Sequence, residues 1–164
     1  MFKKILVAVD GNDPASRAVD LAVEFVEQVG AKIGVLHVVD SSRAYMPDLG
    51  LSDDTTMAEL RRHAVGVLAE ACERIPAVLK PLQLLAEGDP AETIITTARE
   101  WKADLIVVGN DSRGRLAHFL LGSTADSVVR RASCPVMVVR SNATTGAAQS
   151  FDAAKSLVAA GAVA

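Results

Sequence analysis

Cysteine is scarce in this chain, positive charge has no surplus, and no apolar run is long. Cys72 and Cys134 stand far apart with no CxxC, which excludes a disulfide framework and a zinc knuckle and fits a reducing, cytoplasmic setting. Lys and Arg number 17 against 20 Asp and Glu, a net charge of −3 with no basic stripe, so nucleic acid is excluded as a general partner. No stretch approaches the ~18 apolar residues that span a bilayer, so membrane insertion is not expected. The opening "MFKKILVAVDGND" carries two lysines and a short run from Ile5 to Val9 with no cleavage site. It reads as a first strand, not a signal peptide.

What is present is 50% apolar residues in a chain of 164, the size of one globular domain. Strand-length apolar runs alternate with longer segments of helical spacing, the pattern of a parallel α/β sheet. The first strand is Lys4 to Val9. Asp13 and Pro14 then supply a cap and a first-turn proline, Ala15, Ala18, Val19, Ala22, Phe25, Val26 and Val29 form one face, and Gly30 ends the helix. "AKIGVLHVVD" gives a second strand to Val39, followed by a long polar loop from Asp40 to about Asp54. A second helix is predicted from about Thr56 to Ile75, with Pro76 beyond. "PLQLLAE" is a third strand, Asp89, Pro90 and Glu92 spell a capping box, "DLIVVG" is a fourth strand, Ser123 to Ala132 a short helix, and "CPVMVVR" a fifth strand. The expected fold is a single open, doubly wound parallel five-stranded sheet flanked by four helices, with right-handed crossovers. It occupies residues 1–140; the Ala-rich tail 141–164 reads as flexible or as a short docking helix.

Such sheets bind ligands beyond the carboxyl ends of their strands, where strand order reverses. If strands one and four are neighbours there, Asp10 and Gly109 face one pocket. The loop after strand four, "VVGNDSRGRLAHFLLGST", is not a Walker A, because Arg115 and Leu116 stand where Lys and Ser or Thr are needed. Nor does the first turn, with its single Gly11, carry a Rossmann fingerprint. The loop has its own logic. Gly109 leaves room for a close approach, and Gly122 and Ser123 open a helix whose free N–H groups attract an anion. Ser123 and Thr124 add hydroxyl donors, and Arg113 and Arg115 add charge.

In sequence order, "KKILVAVDGND", "LHVVD", "EGDPAETI", "ADLIVVG" and "LLGSTADSVVRRASCPVMVVR" resemble the universal stress protein family, a Rossmann-like domain of the adenine nucleotide alpha hydrolase kind. Its nucleotide-binding members show G-x2-G-x9-G-[S/T] after the fourth strand. Gly109 takes the first place, Ser112 stands where the second glycine would be, and Gly122 with Ser123 closes the motif in register. The resemblance implies ATP or AMP as ligand, with Mg2+ held by the phosphates. It further implies Asp10 on the ribose and adenine side, Ala8 and the backbone at Val38 in the same pocket, and a homodimer through the last strand, about Val136 to Arg140. A regulatory protein partner and a stress-response role go with it. Two readings of Ser112 stay open. With Gly114 supplying the lost freedom, the loop holds a nucleotide; with the serine crowding the site, the domain is a dimeric adaptor without a ligand.

The plainer roles are also expected. Asp10 is a turn former, and Ser123 is an N-cap with Asp126 three residues on. His37 reads as a packed or backbone-bonded core histidine and His63 as surface. His118 has no identified acidic partner. A phosphorylated signalling receiver is excluded by the single Asp10 after strand one, Glu87-Gly88 after strand three and Arg140 after strand five. No base or metal motif marks an enzyme beyond a slow, incidental ATPase.

Overall fold

The computed structural model describes residues 2–46, 51–52, 54–110 and 123–140. The motif residues Ser112, Arg113, Gly114, Arg115, His118 and Gly122, and the tail 141–164, lie outside the described residues.

The run "KILVAV" forms β1 (Lys4–Val9), with Ile5, Leu6 and Val7 completely buried. Alternate side chains point to opposite faces of a strand, so an unbroken apolar run requires cover on both sides. That cover comes from two pairs of helices. Ile5, Val7 and Val9 pack against α1 (Asp13–Val29) and α2 (Asp54–Glu73). Leu6 packs on the other face in a cluster with α3 (Pro90–Trp101) and α4 (Ser123–Arg131). The remaining parallel strands are β2 (Lys32–Asp40), β5 (Leu82–Gly88), β6 (Leu105–Asn110) and β7 (Val136–Arg140), in the order β5-β2-β1-β6-β7. Each fully buried aliphatic side chain contributes about 1.5–3 kcal/mol, so β1 and its two neighbours hold most of the core energy. The edges differ: Leu82 and Leu85 of β5 are about two-fifths exposed.

Several boundaries depart from expectation for visible reasons. The cap of α1 is Asn12, and Asp13 is already helical. The Asn12 side chain makes no capping bond: its amide NH2 turns back to Asp10, and it is the Asn12 backbone carbonyl that accepts from the N–H groups of Ala15 and Ser16. Gly30 ends the helix as expected, in the left-handed region at φ 67° with its N–H donated to Val26. The stretch from Asp40 is not a bare loop. β2 runs through Asp40, a 3-10 turn follows at Ser41–Ala44, and β3 (Tyr45–Met46) pairs antiparallel with β4 (Leu51–Ser52).

At α3 the Asp89 carboxylate accepts from the Glu92 N–H at 2.9 Å, as a capping residue should. Glu92 does not return the bond as half of a box, since its carboxylate pairs with Arg131 of α4. In α4, Ser123 is the first helical residue and not the cap, and Asp126 is taken by Arg130 one turn on.

Candidate functional site

β1 pairs with β2 on one side and β6 on the other, so the sheet order reverses about the central strand. Beyond the carboxyl ends of these strands lies a cleft of about 270 Å³. β1 contributes Ala8, Val9 and Asp10; β2 contributes Leu36 to Asp40; β6 contributes Val108 and Gly109. α2 adds Leu60 and His63, α3 adds Pro90 and Ile94, and α4 adds Thr124 and Ala125. Ala8, Asp10, Val38, Gly109 and Thr124 are therefore brought together. Ser123 is exposed at the same helix start but does not line the cleft.

The two acidic groups are built alike. Asp10 accepts from the backbone N–H of Asn12 at 3.1 Å and from its amide at 3.0 Å. Asp40 accepts from the backbone N–H of Ser42 at 3.0 Å and from its hydroxyl at 2.6 Å. Each carboxylate thus folds the chain away from a strand end, the ordinary work of such a residue in a turn. That work also fixes both carboxylates at the cleft. Gly11 sits between Asp10 and Asn12 at φ +82°, where a side chain would be strained and would meet Val67 at 3.0 Å.

Gly109 answers to a different neighbour than the motif predicts. A Cβ added there would lie 2.8 Å from Ala15 N and from Pro14 C, both backbone atoms of the first turn of α1. The close approach that needs glycine is the helix packing across β6. The residue lines the cleft, but its lack of a side chain is first a condition for seating α1.

His37 is only 9% exposed, and its Nδ1 lies 2.8 Å from the carbonyl oxygen of Val9. A carbonyl accepts, so Nδ1 carries the proton and Nε2 is left as an acceptor in the neutral ring. Burial lowers the imidazole's pKa; the bond to Val9 opposes that, and the His63 charge adds to the lowering. His37 is thus the backbone-bonded core histidine the sequence predicts, and it also lines the cleft. His63 is exposed, as expected, and sits at the cleft on α2. The end of α2 nearest the cleft is tied to β5 by Arg61, which donates to both carboxylate oxygens of Glu87 at 2.6 and 2.9 Å.

Sequence reasoning missed Leu60, His63 and Ile94 as cleft residues. Each belongs to a helix whose distance from the strand ends is set by packing, and no local pattern signals that. Among the described residues no group of three or more His, Cys, Asp or Glu is placed to hold a metal. Partial burial pushes the Cys72 and Cys134 thiols up, away from reactive thiolates. No helix among the described residues is long and apolar enough to cross a membrane.

The sequence model of the universal stress protein family matches residues 1–140. Universal stress protein YxiE of Bacillus subtilis is 34% identical over 152 residues, covering 85% of this chain and the whole of the relative. Among solved structures, universal stress protein UspA from Lactobacillus plantarum has a TM-score of 0.70 at 30% identity, over 85% of this chain and 98% of its own. The universal stress protein from Archaeoglobus fulgidus in complex with dAMP has a TM-score of 0.59 at 27% identity, over 84% of this chain and 98% of its own.

Proposed function

This chain belongs to the universal stress protein family, and from that premise we propose that it binds an adenine nucleotide, ATP or AMP, in the cleft beyond β1, β2 and β6. The observation that carries the reading is the convergence in one cleft of the ends of those three strands with the first turn of α4. The free N–H groups and positive dipole end of that helix attract phosphate. Thr124 offers a hydroxyl there, with Ser123 beside it. Ser112, Arg113, Gly114 and Gly122 complete the phosphate segment in this reading. Asp10, Ala8 and the Val38 backbone serve the nucleoside, and Mg2+ travels with the phosphates. The dAMP bound by the Archaeoglobus fulgidus relative supports the ligand class.

The domain acts as a nucleotide-responsive binding module and not as an enzyme. A dimer formed through the β7 edge belongs to the same proposal, since an unpaired strand edge calls for cover. A second reading has an observation of its own. Because α1 packing alone demands glycine at 109, that glycine persists in a scaffold that binds no nucleotide and serves as a dimeric adaptor.

Calorimetric titration of nucleotide-stripped protein with ATP and Mg2+ separates the two. Binding is expected in the wild type, with affinity reduced at least about tenfold, or 1.4 kcal/mol, in Ala8→Leu and Gly122→Val. No binding by the wild type leaves the adaptor. Unchanged binding in both variants removes the site assignment.

A further inference from the structure

We propose that the tail beyond residue 140 forms a short helix, residues 151–160, that docks on the outer edge of β5 and the adjoining flank of α2. The inference stands apart from the nucleotide reading. β5 is the last strand of its sheet, with no strand on its outer side among the described residues. Successive side chains of a strand face opposite sides, so Gln83, Leu85 and Glu87 face α2 while Leu84 and Ala86 pack with α3 and α4. α2 runs down that face. Arg61 bonds Glu87 at one end, and Cys72 borders a surface hollow with Gln83 at the other. Arg61, Val65 and Cys72 follow at helical spacing on one stripe, which places Val65 beside Leu85 between the two anchors. Both are left open, Val65 at 57% and Leu85 at 43% exposure. Ile75, Pro76, Ala77 and Pro81 continue the apolar surface around the hollow. An apolar edge of seven residues with neither lysine nor proline calls for cover.

The tail has a segment of matching size and chemistry. The family match ends at residue 140, so "SFDAAKSLVAAG", residues 150–161, lies beyond the shared domain. Ser150 is a capping residue, Asp152 falls in the first turn, and Gly161 stops the pattern. Phe151, Ala154, Leu157 and Val158 share one face. A helix so short is marginal in water by itself and needs an apolar surface to hold it. Its ten residues span about 15 Å, against about 13 Å for the open stretch from Glu87 to Gln83. The sheet is parallel, so β5 and β7 end on the same side, four strand spacings or about 19 Å apart. Residues 141–149 extend to about 30 Å, enough to bring Phe151 to the Glu87 end of the groove within one chain. The helix then descends beside α2, and Val158, two turns on, nears Cys72.

The test is disulfide formation with the half-buried Cys72 in the full chain, where Cys134→Ser leaves it the one native thiol. Val158→Cys, on the docking face, is expected to pair with Cys72 within one chain at least about fivefold faster than Ser156→Cys, on the opposite face. Adding Phe151→Asp in the tail, or Val65→Asp in the groove, slows the Val158→Cys pairing to the Ser156→Cys rate. Thermal unfolding confirms that each variant is folded, and Phe151→Asp decides the matter if Val65→Asp is not. Hydrogen exchange of the β5 amides gives a readout without added thiols, and Phe151→Asp alone speeds it at least about threefold. Equal pairing from the two faces, or unchanged exchange in Phe151→Asp, overturns the docking. Pairing found only between two chains, as a covalent dimer, gives the groove to a second copy and overturns the assignment within one chain.

Discussion

Two junctions in this molecule are spelled almost alike and are built differently. "DGNDPAS" leads from β1 into α1, and "EGDPAET" leads from β5 into α3. At the second, Asp89 caps the helix with its side chain and Pro90 follows as the first helical residue. At the first, Asn12 occupies the cap, makes no side-chain capping bond and turns its amide to Asp10, with Pro14 one position later in the helix. The inserted residue changes the division of labour. The edge junction spends its polar side chain on the helix, whereas the central junction spends it on holding a carboxylate at the cleft. The central helix start does not lack support, because it is seated on β6 through the missing side chain of Gly109.

The largest expected effect breaks that seat. Gly109→Ala places a methyl 2.8 Å from backbone atoms that no rotamer change can relieve. Overpacking of that kind costs about 3 kcal/mol, read as a lowered midpoint in urea unfolding with an unchanged slope. A loss below 1 kcal/mol would mean that α1 shifts freely and that glycine at 109 serves the ligand instead. Asp89→Ala comes next. Loss of the working cap costs about 1 kcal/mol and leaves ATP affinity untouched. Asn12→Ala gives the mirror image. Stability falls by less than about 0.5 kcal/mol, because no side-chain cap is lost, while ATP affinity drops several-fold as Asp10 loosens. If the two variants behave alike, the contrast between the junctions fails.

The smallest effect is on pH dependence. His37 has its pKa lowered in the folded state, so the unfolded chain binds more protons over the interval below the ordinary imidazole value. Stability from this group is complete above about pH 6.5 and is lost as pH falls through the folded-state value. Urea midpoints measured from pH 7.5 to 5 are expected to decline more steeply in the wild type than in His37→Asn, which has no ring to protonate. Parallel declines would place the acid sensitivity elsewhere.

Much of the fold was legible because its signals are local. "KILVAV" is apolar at every position, which only cover on two faces explains, and the sheet supplies it. Gly30 and Asp89 end and start helices through bonds to residues four or fewer positions away. The same locality misled at Asp13 and Glu92. Asn12 and Arg131 compete for the bonding there, and Arg131 comes from another helix. In the cleft, Asp10 and Val38 were readable as strand ends. Leu60 and His63 were not, because nothing in α2 records how far its first turns reach over β2.

By itself the sequence determined that strands alternate with helices, where most of them begin and end, and which residues stand at the carboxyl ends of the strands. Periodicity, caps and turn residues act within a few positions of the chain. Tertiary structure decided that β1 lies between β2 and β6, that Gly109 is required by the backbone of α1, and that His37 turns its Nδ1 to the carbonyl of Val9. Those facts depend on contacts between residues 28 to almost a hundred positions apart, and only the packed sheet fixes such distances.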